Sequence, residues 1–419
     1  MTRLIDLCDL IVDCEHKTAL TQETGYPSIR TPNIGRGRLL LEKVNRVSED
    51  TYRAWTQRAE PQVGDLILGR EAPVGNVAII TPGLKVCLGQ RTVLIRVNRS
   101  KLNPQYLTYL LLGDEIQGRV ASVCNGATVH HLNMKDIREL EMPSIPALDV
   151  QDRIAAILST YDDLIENNTR RIKILEEMAQ MLYREWFVHF RFPGHEKVQM
   201  VESELGPIPE GWPVVGFDVL CDVLSGGTPK TSQPEYWNGS ISFFGPTDAP
   251  DAFYVLETAR RITELGLRKC NSRLYPAETV FITARGTVGK VVLTSRDMAM
   301  NQSCYALRGK PGINQLALFL LTRHCAERLR KKAHGAVFDS ITVETFQKLK
   351  VARPPCELLE RLECLIRPHF AQSLNLLKRN SNLRTTRDLL LPKLISGEIP
   401  VEAADDTAAQ LMEEIAQPA

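Results

Sequence analysis

Two stretches of the chain place their core-type positions at alternating steps of four and three. The first runs through Ile154, Leu158, Tyr161, Ile165, Asn168, Ile172, Leu175, Ala179, Leu182 and Trp186. The second runs through Leu359, Leu362, Ile366, His369, Ser373, Leu376, Asn380, Leu383, Arg387, Leu390 and Leu394. A narrow stripe of this period with charged flanks is the seam of a coiled coil, so the spacing predicts two long helices that can pair. Asn168 and Asn380 fall inside the seam, where an amide costs stability and in return opposes slippage. Asn380 also fits a solvated place, because the second seam is the more polar. At 1.5 Å per residue the helix from Ile154 to Trp186 would be about 50 Å long, and antiparallel pairing would put a globular domain at each end.

Outside these helices the pattern shortens to apolar runs bounded by turns, and the second half repeats the first at a separation of about 210 residues, right for a duplicated domain. GDLILGREAPVGNVAII (Gly64 to Ile80) matches AETVFITARGTVGKVVL (Ala277 to Leu293). Both read as a strand, then Arg or Ala-Arg, a turn ending at Gly75 or Gly289, and a second strand, which is a hairpin plan. LGQRTVLIRVN with Gln90 matches MNQSCYALRGK with Gln302. NGATVHHLNMKDIRELEMPSIP pairs Gly126 with Gly335, Leu132 with Ile341, Ile137 with Phe346, Leu140 with Leu349 and Pro146 with Pro355. The Pro, Gly and charged residues of RFPGHEKVQMVESELGPIPEGWPVV break the helical pattern and read as a linker.

The chain of 419 residues is 43% hydrophobic and 24% charged, long enough for two or three cores. It has no apolar run of about 18 residues and no basic-then-apolar start, which predicts a cytoplasmic protein. Ten scattered cysteines without a C-x-x-C pair read as reduced, buried thiols. Cys8, Cys14 and His16 come nearest to a metal set, but their spacing fits no zinc pattern. A net charge of +1 excludes binding nucleic acid by bulk charge, so any such surface must be local. The clearest basic run is Arg323, Arg328, Arg330, Lys331 and Lys332, and the tail after Pro400 is acidic; solvated surface accounts for both. A 50 Å helix spans about one and a half turns of B-DNA, a length suited to a split site.

SGGTPKTSQPEYWNGSISFF (Ser225 to Phe244), ARGTVGKVV, MNQSCYAL, LGPIPEGW and LLLPKLISGEI resemble phrases of the specificity subunits of type I restriction-modification systems. The resemblance covers nearly the whole chain. The first half is the looser match, with VDCEHKTA and YPSIRTPNIGRGRL but no SGGTP...EYW form. It implies an α+β (mixed α/β) fold of two duplicated target-recognition domains separated by two long helices that form an antiparallel coiled coil. The corresponding boundaries are 1–146 for the first domain, 147–190 for its helix, 191–212 for the linker, 213–355 for the second domain, 356–399 for its helix and 400–419 for the tail. It also implies recognition of a bipartite double-stranded DNA target with an unspecified spacer. Two adenine methyltransferase subunits and two restriction/translocase subunits are the implied partners, with S-adenosylmethionine, ATP and magnesium belonging to them.

The residues themselves carry no catalytic motif. ARPPCE (Ala352 to Glu357) lacks the polar first residue and the aromatic of an amino-methyltransferase turn. In SGGTPKT, Pro229 separates Thr228 from Lys230 and no P-loop spacing results. No paired-carboxylate nuclease pattern stands out. His130 and His131 face Phe338 and Asp339 in the other copy, which argues against a shared catalytic histidine and leaves a surface or phosphate role.

Base reading favours Arg for guanine and Asn or Gln for adenine, since each planar end makes two hydrogen bonds at once. The candidates in the first domain are Lys17, Thr18, Arg30, Thr31, Asn33, Arg36, Arg38, Arg70 and Arg91. Those in the second are Thr228, Lys230, Thr231, Thr247, Asp248, Arg285, Asn301 and Gln302. Hydroxyls and Lys230 suit phosphate. Tyr236 and Trp237 read as loop anchors, and Gln90 and Gln302, present in both halves, as parts of a shared scaffold. The competing expectations are a non-catalytic protein-binding scaffold with duplicated domains and an enzyme with a concealed nuclease or methyltransferase centre.

Overall fold

The computed structural model describes residues 2–124, 131–332 and 340–402, without the side chains of 330–332. His130, Gly126, Gly335, Phe338, Asp339, the side chains of Arg330, Lys331 and Lys332, and the acidic tail from 403 onwards lie outside the described residues. Two compact units result: Met1–Ile165 with Asn382–Ala419, and Glu166–Ser381.

In the first unit, β1 (Cys8–Asp13), β2 (Leu66–Gly69), β3 (Val77–Ile79) and β4 (Thr92–Val97) form an antiparallel sheet in the order β1, β4, β2, β3. Beside it Tyr26–Ile29 pairs antiparallel with Arg46–Val47 and parallel with Cys87–Leu88. Helix α1 (Pro104–Leu112) follows; the Asn103 side chain accepts from the Tyr106 N–H, and proline occupies the first turn, where its missing donor costs nothing. Next come α2 (Asp114–Val123) and α3 (Leu148–Phe187).

The second unit repeats this plan. Strands β5 (Cys221–Ser225), β6 (Tyr254–Val255), β7 (Val280–Thr283), β8 (Val291–Thr294) and β9 (Cys304–Gly309) run in the order β5, β9, β7, β8, β6, with β6 an added parallel edge. Trp237–Phe244 pairs antiparallel with Arg260–Ile262 and parallel with Met298–Met300, as its counterpart does in the first unit. Helices α4 (Gln315–Lys332) and α5 (Cys356–Ser396) follow. The fold is mixed α/β and duplicated.

The matched hairpins turn in the same way. Gly75 N–H donates to the Gly69 carbonyl at 3.0 Å and Gly289 N–H to the Thr283 carbonyl at 2.8 Å. Their φ values, +81° and +80°, belong to the left-handed region that glycine enters without a Cβ clash.

Helices α3 and α5 run antiparallel within each unit, and their contact is apolar with polar interruptions. In the first unit Ile154, Leu158 and Tyr161 share one core with Leu391 and Leu394. Buried Asp162 accepts the Tyr109 hydroxyl at 2.7 Å and pairs with Arg387. In the second unit Ala179, Tyr183 and Trp186 share a core with Leu359, Leu362, Ile366 and Phe370. There the Asn168 amide donates to Asn380 Oδ1 at 2.9 Å, and Glu176 accepts from Phe253 N at 2.8 Å and from the Ser373 hydroxyl at 3.2 Å. Both asparagines are 1% exposed, so Asn380 occupies a buried place rather than a solvated one. Ile165, Ile172 and Leu376 are buried, whereas Leu175, Leu182, Leu383 and Leu390 lie half-buried at the margin. The buried stripe of α3 passes instead through Glu176, Ala179 and Tyr183, the drift expected of 3.6 residues per turn against a repeat of 3.5.

Burial pushes the Glu176 carboxyl above the usual carboxylate range, with the Phe253 and Ser373 hydrogen bonds opposing it. A carboxyl whose pKa rises on folding binds more protons in the native state, so it erodes stability as pH climbs through the window above its unfolded value, near 4.3. Urea unfolding of Glu176→Gln between pH 4 and pH 8 should therefore lose this component of the decline, with the difference between variant and parent growing in the variant's favour as pH rises.

Candidate nucleic-acid interface

The register of each sheet gathers three loops at one end. Asp13 lies opposite Val93 and Gly69 opposite Thr92, so the chain leaving β1, the turn after β2 and the segment entering β4 meet. In the second unit Ser225 opposite Tyr305 and Thr283 opposite Cys304 bring the matching loops together. A threonine and a glutamine tie the loops in both units: Gln90 Nε2 donates to Thr18 Oγ1 at 3.1 Å, and Thr228 Oγ1 donates to Gln302 Oε1. Those glutamines are scaffold parts in both halves, as their repetition suggests. Glycine permits the approach in the second unit, where a Cβ at Gly226 would stand 2.2 Å from the Asn301 carbonyl oxygen.

The side chains carried on this common frame differ. In the first unit a chain of polar contacts starts at Arg70, whose side chain is 8% exposed. Its guanidinium donates to Asp13 Oδ2 at 2.6 Å, to the Leu132 carbonyl at 2.8 Å and to His131 Nε2 at 2.9 Å. Because arginine only donates, Nε2 must accept, which leaves the proton on Nδ1 to donate to Glu71 at 2.7 Å. Glu71 in turn pairs with Arg91 at 2.9 Å, and His16 meets Asp13 at 3.0 Å. Lys17, Thr18, Arg30 and Arg91 are exposed around this network.

Matched hairpin hydrogen bonds align Arg70 with Ala284 and Glu71 with Arg285: Arg70 N–H donates to the Arg91 carbonyl, and Ala284 N–H to the Ser303 carbonyl. The two hairpin arginines are therefore not equivalents. Arg70 holds loops together from within, while Arg285 is exposed and its guanidinium has no partner among the described residues. Lys230, Thr231 and Thr247 are also exposed.

Other candidates serve the protein itself. Thr31 and Asn33 are buried in one tight turn, where the Asn33 amide donates to the Leu40 carbonyl at 3.2 Å. Arg36 donates to the Leu112 carbonyl at 2.9 Å, and Arg38 pairs with Asp163 of α3. Asp248 accepts Gly245 N at 2.8 Å and Ala259 N at 2.9 Å, while Asn301 caps Ser303 N at 2.9 Å. Trp237 anchors its loop by donating to the Lys230 carbonyl at 3.2 Å and carries Arg260, 3.7 Å above its ring. Arg260 was not among the candidates; its place two strands away hides this stacking from local sequence.

The ligating atoms of Asp13, Cys14 and His16 lie within 4.8 Å of one another, so Asp13 rather than Cys8 completes the nearest metal-like group. Its chemistry is already committed: the Asp13 carboxylate holds Arg70 and His16, and burial raises the Cys14 thiol pKa, opposing the thiolate a metal needs. Among the described residues no helix is long and apolar enough to cross a membrane.

The family model of the type I restriction modification DNA specificity domain matches residues 2–177 and again 209–358, one stretch for each repeat. The chain belongs to this family. Among its specificity-subunit relatives, that of the MjaIX type I restriction enzyme of Methanocaldococcus jannaschii is 26% identical over 361 residues, spanning 85% of this chain and 82% of the relative. The HindI specificity subunit of Haemophilus influenzae is 22% identical over 368 residues, 73% of this chain and 80% of the relative. The fold is similar to the crystal structure of a type I S subunit from M. genitalium, with a TM-score of 0.57 at 16% identity over 94% of this chain and 95% of that one. As a type I specificity subunit the chain has the recognition part and not the catalytic part of such a system.

Replacing Arg70 with Ala strips the donor from Asp13 and from the Leu132 carbonyl, a loss of about 1–3 kcal/mol for groups left unsatisfied. Chemical denaturation of Arg70→Ala should show that loss, whereas Arg285→Ala should stay within about 0.5 kcal/mol of the parent.

Proposed function

We propose that this specificity subunit reads a bipartite double-stranded DNA target, each unit applying its three sheet-end loops to one half-site, and that the paired helices set the unspecified spacer. The observation that carries the reading is the repeated loop frame with different side chains at matched points: Glu71 and Arg91 in one unit, Arg285 and Ser303 in the other. A common frame with exchanged side chains is what two readers of unlike sequence require. Exposed Lys17, Thr18, Arg30, Lys230, Thr231 and Thr247 suit phosphate contact around these points and would fix each loop's orientation. Arg285, free to present its planar end, suits a guanine edge.

The same reading assigns the chain partners in the cytoplasm: two adenine methyltransferase subunits and two restriction/translocase subunits, which bring the chemistry. Helix α3 offers them a surface. Ile174, Met178 and Met181, at helical steps of four and three, are 54%, 41% and 54% exposed, an apolar stripe opposite the buried one.

Selection from randomised duplexes with the assembled methyltransferase complex tests the reading. The parent should recover one split sequence, and Arg285→Ala should relax base preference in one half only while weakening that target by about 1–3 kcal/mol. Unchanged preference in both halves would contradict the assignment of Arg285, and no preference in the parent would contradict DNA reading as a whole.

A further inference from the structure

Each unit holds an apolar groove at the end of one long helix, and the duplication makes the two grooves counterparts. In the second unit Tyr183, Phe187 and Val188 of α3 form one wall, α4 contributes His324 and Cys325, and Ala352 closes an edge. In the first unit the matched places are Leu391, Ile395 and Ser396 of α5, Asp114 and Glu115 of α2, and Pro143. One difference stands out. The groove of the second unit is also walled by Leu205 and Ile208, from the extended Leu-Gly-Pro-Ile-Pro segment of the linker, and encloses about 360 Å³. The groove of the first unit has no such segment among its lining residues and is larger, about 550 Å³.

We propose that this first-unit groove is a docking site for an extended segment of a partner subunit, presenting two aliphatic side chains three residues apart, as Leu205 and Ile208 do, and flanked by lysine or arginine. The basic flank follows from the rim. Asp114 is exposed without a side-chain partner among the described residues, and Glu115 and Asp388 stand beside it. That acidic rim disfavours the chain's own tail, which carries Asp405, Asp406, Glu413 and Glu414 and no basic residue. The proposal deepens the partner-recruiting part of the proposed function and rests on it.

The test uses the full chain and a fluorescein-labelled peptide with the sequence of residues 202–213 in which Glu204→Lys and Glu210→Lys, together with the purified methyltransferase and restriction subunits. The peptide should bind saturably and compete with one of those subunits. Ile395→Asp should weaken both peptide and subunit at least tenfold, with Ile395→Ala as the milder variant at about threefold, and Asp114→Lys should weaken the lysine peptide at least fivefold. Wild-type subunit affinity in all three variants would overturn the proposal. So would peptide binding seen only after truncation at Glu402, which makes the tail the occupant, or a dimer that Ile395→Asp dissociates, which makes it a second copy. DNA sequence preference of the parent complex, measured in parallel, reports separately on the underlying reading.

Discussion

Polar groups buried along the contact of two long helices decide how those helices can meet. A seam of leucine and isoleucine tolerates a shift by one heptad, since each knob finds a similar hole. Asn168 against Asn380 and Glu176 against Ser373 do not tolerate it. A slip would face each amide with aliphatic carbon and strand the Glu176 carboxylate, at about 1–3 kcal/mol for every unsatisfied group. In the first unit the pair of Asp162 with Arg387, braced by Tyr109, acts in the same way. Such groups add little net stability, because desolvation offsets their attraction; their contribution is to make other registers worse.

Duplication supplies the second organising fact. Both units keep the sheet order, the glycine-ended hairpin and the threonine–glutamine tie, and they vary what the frame displays. The variation reaches beneath the surface. Arg70 and Asp13 in one unit are replaced by Ala284 and Ser225 at matched positions in the other, so the loops of the first unit are braced by a buried ion pair and those of the second by close backbone approach at Gly226. One architecture thus accommodates two loop sets without a shared binding motif.

The parts legible in the sequence were those governed by local periodicity. Steps of three and four located both helices, and Gly75 and Gly289 located both hairpin turns, because those signals arise within a few residues of where they act. The candidate interface was legible only as a pool of residue types. Arg36 and Arg38 look like an exposed basic loop, yet their guanidinium groups are drawn to Leu112 and Asp163, far along the chain. Arg70 resembles Arg285 in a written alignment, and only the hairpin hydrogen bonds reveal a one-residue offset that buries the first and exposes the second. The drift of the buried stripe from Leu175 to Glu176 belongs to the same class, since it depends on what the facing helix and Phe253 provide.

Register is most directly tested by cross-linking. With exposed Cys364 replaced by Ser, the pair Asn168→Cys and Asn380→Cys should oxidise readily and leave the selected DNA target unchanged, while Asn168→Cys with Ser373→Cys, one heptad out of step, should not close. Efficient closure of the offset pair, or none at the matched pair, would contradict a single register held by buried polar groups.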